Sequence, residues 1–157
     1  MNANGWSPYY FRIFKAALDE LEAAVTQLAQ DDPRGYKTHP KTKLLASVYK
    51  SITEVVPANP DSPEYRLDKT LGTTKTYWRR IMKGMPDRYR LFFRFASSPL
   101  KLIVYVWFND DETLRKAGSK TDVYETFKLM LGRGVVPSSI HELLSASQND
   151  EYWSYQK

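Results

Sequence analysis

The chain has no cysteine and only two histidines among its 157 residues. The first absence excludes disulfides, thiolate-bound zinc or iron–sulfur sites and a cysteine nucleophile. The second leaves little material for histidine acid–base chemistry. His39 precedes a predicted helix and His141 lies in a short one. Each is alone, and each reads as a capping or surface residue. No apolar run approaches the roughly 20 residues of a membrane span. The opening "MNANGWSPYY" lacks the basic-then-apolar form of a signal peptide. There are no internal repeats and no phosphate-cradling glycine loop. The expectation is a soluble, cytoplasmic, single domain spanning 1–157, without membrane contact, metal or cofactor.

Acidic residues are scarce in one place. Residues 66–101 carry 10 Lys+Arg against 2 Asp+Glu, whereas 1–65 carry 7 against 8 and 102–157 carry 6 against 8. The whole excess of the +5 net charge therefore sits in one segment. Such a block is the electrostatic footprint of an anion-binding surface, with phosphate backbone the commonest partner, although a basic face can also serve solubility alone.

Hydrophobic spacing gives the elements. Phe14, Leu18, Leu21, Val25 and Leu28 make one stripe, predicting a helix over 8–30 that "DDPRG" ends. Leu44, Val48, Ile52 and Val55 predict a second from about Pro40 to Val56. "PANPDSP" at 57–63 is an extended connector. The period then changes to two. Strands are predicted over 77–83, 88–95 and 100–108, joined by "GMPD" and "ASSP" turns into an antiparallel meander. The third is apolar on both faces and should be central. A helix capped by Thr121 should run to about Leu131, with Val123, Phe127 and Met130 inward. Ser139 and Glu142 have capping-box spacing for a last one through Ser145. Residues 147–157 read as a loose tail, unusual in holding Tyr152, Trp153 and Tyr155. The fold class is α+β: an N-terminal helix hairpin packed on one face of a small antiparallel sheet, with C-terminal helices, the other face open.

On that open face the stretch "DRYRLFFRF" (87–95) would present Arg88, Arg90 and Arg94 with Phe92 as an exposed ring, while Tyr89, Leu91, Phe93 and Phe95 point inward. Guanidiniums beside an aromatic face suit single-stranded nucleic acid. A solvated strand whose arginine stems cover apolar surface has the same pattern. "NDDE" at 109–112 crowds three carboxylates; capping of the following turn is favoured over metal binding. An enzyme here would work without histidine, cysteine or an obvious metal. RNA cleavage allows this, because the neighbouring 2′-hydroxyl is the nucleophile and the protein need only orient the backbone and stabilise charge. A lysine or tyrosine among cations can move the protons. The hairpin register is open: pairing Lys83 with Arg88 sets Arg80 opposite Leu91, and a slip of one brings Arg80 to the face of Arg90.

The run "YWRRIMKGMPDRYRLFFRF", then "VWFNDDETLRKAGSKTDVYETFKLMLGRG", resembles the YhaV toxins of bacterial toxin–antitoxin pairs. "NPDSPEYRLDKTLG", "TKLLASVYKSI" and the early "NGW" fit the same family, so the resemblance covers about residues 4–137. It implies a RelE-like fold and a growth-inhibiting, metal-independent endoribonuclease that cuts messenger RNA on the ribosome. It also implies a PrlF-type antitoxin, a swapped-hairpin DNA-binding protein through which alone operator DNA would be reached. "YRLFF" matches the superfamily strand whose arginine contacts the cleaved phosphate, which implies Arg90. Arg80, two places after Trp78, is implied for transition-state charge, and "SKTDVY" implies Lys120 and Tyr124. Arg66, Lys69, Lys83, Arg88, Phe92 and Arg94 would hold RNA. Two places depart from the family pattern. Met82 stands where a lysine is usual, and "GVVPSSI" lacks the expected Pro-Pro and Trp. The first departure keeps a second reading alive, a non-catalytic RNA- or ribosome-binding growth inhibitor. A third reading is a module whose charge meets only an acidic protein.

Overall fold

The structure, a computed structural model, describes residues 4–67, 70–71 and 77–149. It is mixed α+β, built on one five-stranded sheet in the order β2-β3-β4-β1-β5. The predicted meander is present as β2 (Arg79–Ile81), β3 (Leu91–Ala96) and β4 (Leu102–Phe108), antiparallel throughout. β4 is central, as its two apolar faces required. Two strands were not expected. β1 (Ser7–Phe11) occupies the start of the segment predicted as helix and runs parallel to β4. β5 (Ser147–Asn149) pairs antiparallel with β1, so the expected loose tail begins as an edge strand; Tyr152, Trp153 and Tyr155 lie outside the described residues.

α1 (Arg12–Asp31) buries Phe14, Leu18, Leu21 and Val25, the stripe read from the sequence. α2 (Pro40–Lys50) starts where His39 Nδ1 accepts the Lys41 N–H at 3.1 Å, with Pro40 in the first turn. The helix then widens into a π turn over Ser51–Val55 and finishes as α3 (Val56–Ala58). Pro57 accounts for the widening: its ring would meet the carbonyl four residues back in a regular α-helix. The Val56 N–H bonds to Ser51 O, and the Ile52 carbonyl so released accepts the buried Tyr105 hydroxyl at 3.2 Å. No helix among the described residues is long and apolar enough to cross a membrane.

Both faces of the sheet are covered. α1 and α2 pack on one, in a cluster with Ile81, Leu91, Phe93, Ile103 and Tyr105. α4 (Val123–Gly132) and α5 (Ile140–Ser145) supply Phe127, Leu131 and Leu143 to the other, against Trp78, Phe92, Val104 and Val106. The expectation of an open face is therefore corrected. A β-bulge in β4 contributes: Phe92 pairs with Trp107 but Phe93 with Tyr105, leaving Val106 as the extra residue. The insertion turns Trp107 to the second face, where it stacks on Phe92 at 5.7 Å. Phe127 stacks on Phe92 from above at 4.2 Å. Phe92 is thus fully buried and not an exposed RNA platform. Period-two alternation places a ring on a face without saying what covers that face.

Candidate active site

The β2–β3 register sets Arg80 opposite Phe92. Of the two registers open in the sequence, this is the one that brings Arg80 and Arg90 to the same face. Trp78, two residues before Arg80, is buried in the second core and anchors that strand. The arginines emerge at the rim of this core, beside the first turn of α4. Asp122 caps that turn, its carboxylate accepting the Tyr124 N–H at 3.0 Å. Asp is the stronger N-cap choice over the predicted Thr121 one residue earlier, and this shifts the helix start by one.

Tyr124 joins the two arginines. Its hydroxyl oxygen accepts from Arg80 Nε at 3.0 Å and from Arg90 Nε at 3.1 Å. The two Nε atoms therefore lie within about 6 Å of each other. A phenol oxygen has two acceptor positions and one proton. Both positions are taken, which leaves the proton to donate elsewhere. Arg80 Nη1 is held by the carbonyls of Glu64 (2.9 Å) and Arg66 (3.2 Å), and Arg90 Nη1 by that of Tyr89 (2.9 Å). The Nη2 groups have no hydrogen-bond partner, and neither guanidinium has an ion-pair carboxylate, among the described residues. Arg90 is only 9% exposed. A buried cation lacking a counter-charge is costly in isolation, so the site favours an arriving anion.

A third cation borders the pair. Arg115 lies over the Tyr124 ring, 4.9 Å from its centre, and pairs with Asp122 at 2.9 Å. Burial pushes the Asp122 pKa up, but the Lys116 N–H, the Arg115 guanidinium and the Tyr124 N–H outweigh it, and the carboxyl is held below its ordinary range. Sequence reasoning missed Arg115 and Asp122. The ranking of Asp over Thr as a cap was the available signal for Asp122; Arg115 had none.

The remaining expected residues are dispersed. Lys120 is exposed in the turn before α4. Lys83 is exposed between β2 and β3, and so is Met82. Arg88 is exposed, has a left-handed backbone (φ 71°) and donates from Nε to the Arg115 carbonyl at 3.1 Å. Arg66 is half-exposed near Asp61 (3.9 Å). Arg94 is engaged within the fold: it lies on the Tyr77 ring at 4.0 Å and donates to the Ser138 carbonyl. Lys69 lies outside the described residues. In "NDDE", Asp110 accepts the Glu112 N–H at 3.0 Å and so caps the following turn.

Two guanidiniums sharing one hydroxyl, without an ion-pair carboxylate among the described residues, suit a protein that binds anionic groups such as phosphodiesters. Residues 9–148 match the family described as a toxin with endonuclease activity, of a toxin–antitoxin system. The chain is 42% identical to Toxin YhaV of Escherichia coli O6:H1 (strain CFT073) over 146 residues, 92% of this chain and 94% of that protein. It is 44% identical over 136 residues to the Ribonuclease toxin YhaV of E. coli K12, covering 86% and 87%. The Toxin YhaV of E. coli O157:H7 has the same identity and coverage. The chain belongs to the YhaV toxin family. No solved structure matches it.

Proposed function

We propose that this toxin is an endoribonuclease that cuts messenger RNA on the ribosome without a metal ion. The observation that carries the reading is the convergence of Arg80 and Arg90 on one tyrosine hydroxyl, with an Nη2 group left on each and no ion-pair carboxylate among the described residues. In the reaction the 2′-oxygen forms a bond to phosphorus and the bond to the 5′-oxygen breaks, leaving a 2′,3′-cyclic phosphate and a 5′-hydroxyl. The free Nη2 groups donate to the non-bridging oxygens as negative charge builds on them. Tyr124 holds both guanidiniums and has a proton for the leaving 5′-oxygen, and Lys120 takes the proton that the 2′-hydroxyl releases. The name of the K12 relative, a ribonuclease toxin, supports RNA as substrate. Arg66, Lys69, Lys83 and Arg88 would bind the flanking backbone. The architecture is read as RelE-like and the site of action as the cytoplasm. The antitoxin that the family implies is read as a PrlF-type swapped-hairpin protein, through which the pair would reach operator DNA.

The test is inducible expression of the wild type and of Arg90→Ala, with mapping of RNA 5′ ends, and cleavage of messenger RNA by purified protein with and without translating ribosomes. Wild type should leave new 5′-hydroxyl ends, as 2′-hydroxyl attack requires, and only when ribosomes are present. Arg90→Ala should lose about 100-fold or more in rate. Full activity in that variant would remove the site. A non-catalytic RNA- or ribosome-binding inhibitor is the second reading, favoured by the exposed Met82 where the family carries a lysine. It requires intact messages in arrested cells.

A further inference from the structure

Arg90 lies just outside the sheet that should hold it. The β3–β4 ladder begins with Leu91 opposite Phe108, so neither the Arg90 N–H nor the Arg88 carbonyl has a rung. Arg88 also has a left-handed backbone, and nothing regular precedes Arg90. The next residue of β4's own chain supplies the missing rung by its side chain. Asn109 is 1% exposed. Its Oδ1 accepts the Arg90 N–H at 2.8 Å, and its Nδ2 donates to Arg88 O at 3.2 Å and to Thr113 O at 2.8 Å. One acceptor and two donors are used, which no other side chain of this size can do. The first two bonds fix the backbone that carries Arg90. The third fixes the start of the arm leading through Arg115 and Asp122 to Tyr124. The Arg115 N–H closes the same knot on Arg88 O at 2.9 Å.

We propose that Asn109 is a positioning residue of the active site: its amide holds the two backbone segments in the register at which Arg90 Nε meets Tyr124 Oη. It touches no substrate. Its effect on rate runs through Arg90, so this inference rests on the proposed role of that arginine. Displacing a catalytic group by about 1 Å costs on the order of 100-fold in rate.

The experiment is a double-mutant cycle on RNA cleavage, with kcat and KM measured for the wild type, Asn109→Ala, Arg90→Lys and the pair. Asn109→Ala should lower kcat about 30- to 100-fold and leave KM within about threefold. In the Arg90→Lys background it should cost less than about threefold, because the group it positions is already gone. Asn109→Asp is nearly isosteric and keeps the acceptor for Arg90 but loses both donors. It should also slow the reaction, and it serves if the alanine variant fails to fold. Val48→Ala, in the core on the opposite face of the sheet, reports on lost stability alone and should keep kcat below its melting temperature. Equal costs of Asn109→Ala in both backgrounds, or unchanged kcat in both Asn109 variants, would overturn the inference. A comparable kcat loss in Val48→Ala at matched melting temperature would do the same. Full activity of Arg90→Lys would instead indict the active-site assignment, so the two failures are told apart.

Discussion

Replacing Tyr124 by phenylalanine removes a single oxygen and leaves the ring, with its edge-on contact to Phe92 at 5.9 Å and Arg115 over its face. Two charged donors lose their acceptor. A hydrogen bond involving a charged group contributes about 1.5–3 kcal/mol. Arg90, 9% exposed, loses most of that because little water can reach it. Arg80 is half-buried and is rehydrated, so its loss is nearer 0.5–1 kcal/mol. The sum is roughly 2–4 kcal/mol, and a chain of this length shifts its Tm by about 2–4 °C per kcal/mol. Tyr124→Phe should therefore melt about 4–16 °C lower. The oxygen also sits between two cations within about 6 Å, which repel by about 3 kcal/mol at an effective dielectric of 20. With it gone the guanidiniums move apart, and cleavage should slow by about 100-fold. Circular dichroism melting and cleavage of an end-labelled RNA measure the two effects. A variant matching the wild type in both would refute the bridging role. A lower Tm with undiminished rate would refute its part in catalysis.

Acid sensitivity follows from Asp122. Its folded pKa lies below its unfolded value, so its contribution to stability is complete above about pH 4 and drains away as pH falls through the lowered pKa. Melting temperatures measured down to about pH 2 should fall less steeply for Asp122→Asn than for the wild type; parallel curves would contradict the assignment. Phe92→Ala removes a ring buried beneath Phe127 and beside Trp107 and should cost about 3–5 kcal/mol in urea unfolding. Weaker RNA binding at unchanged stability would instead restore the exposed-ring reading.

Much of this architecture was legible because local spacing determines it. The stripe Phe14, Leu18, Leu21, Val25 reads as a helix in any context, and the meander follows from short turns between period-two runs. What was missed is non-local. "SPYYF" is a strand only because β4, about 95 residues later, offers a parallel partner. The face of Phe92 was assigned to solvent because nothing in residues 87–95 reveals that Phe127 lies over it. Arg80 and Arg90 were both named, yet their meeting depends on a register that the sequence left open. Tyr124 came from family likeness. By helical spacing it belongs with Val123 and Phe127 as core, and its ring is indeed buried while only its hydroxyl serves the site. Asn109 carried no signal at all, since its role is to imitate backbone.

The order of strands in space also says when the fold can close. β1, from residues 7–11, lies between β4 and β5, from residues 102–108 and 147–149. On a translating ribosome the earliest strand therefore emerges with neither neighbour yet made, and the arginine hairpin appears before the helix that carries Tyr124. Long-range pairing of this kind is slow to form and cannot be anticipated by a partial chain. The sheet can therefore be completed only after β5, at residues 147–149, has left the exit tunnel, and the Arg80–Tyr124–Arg90 bridge only after α4 has.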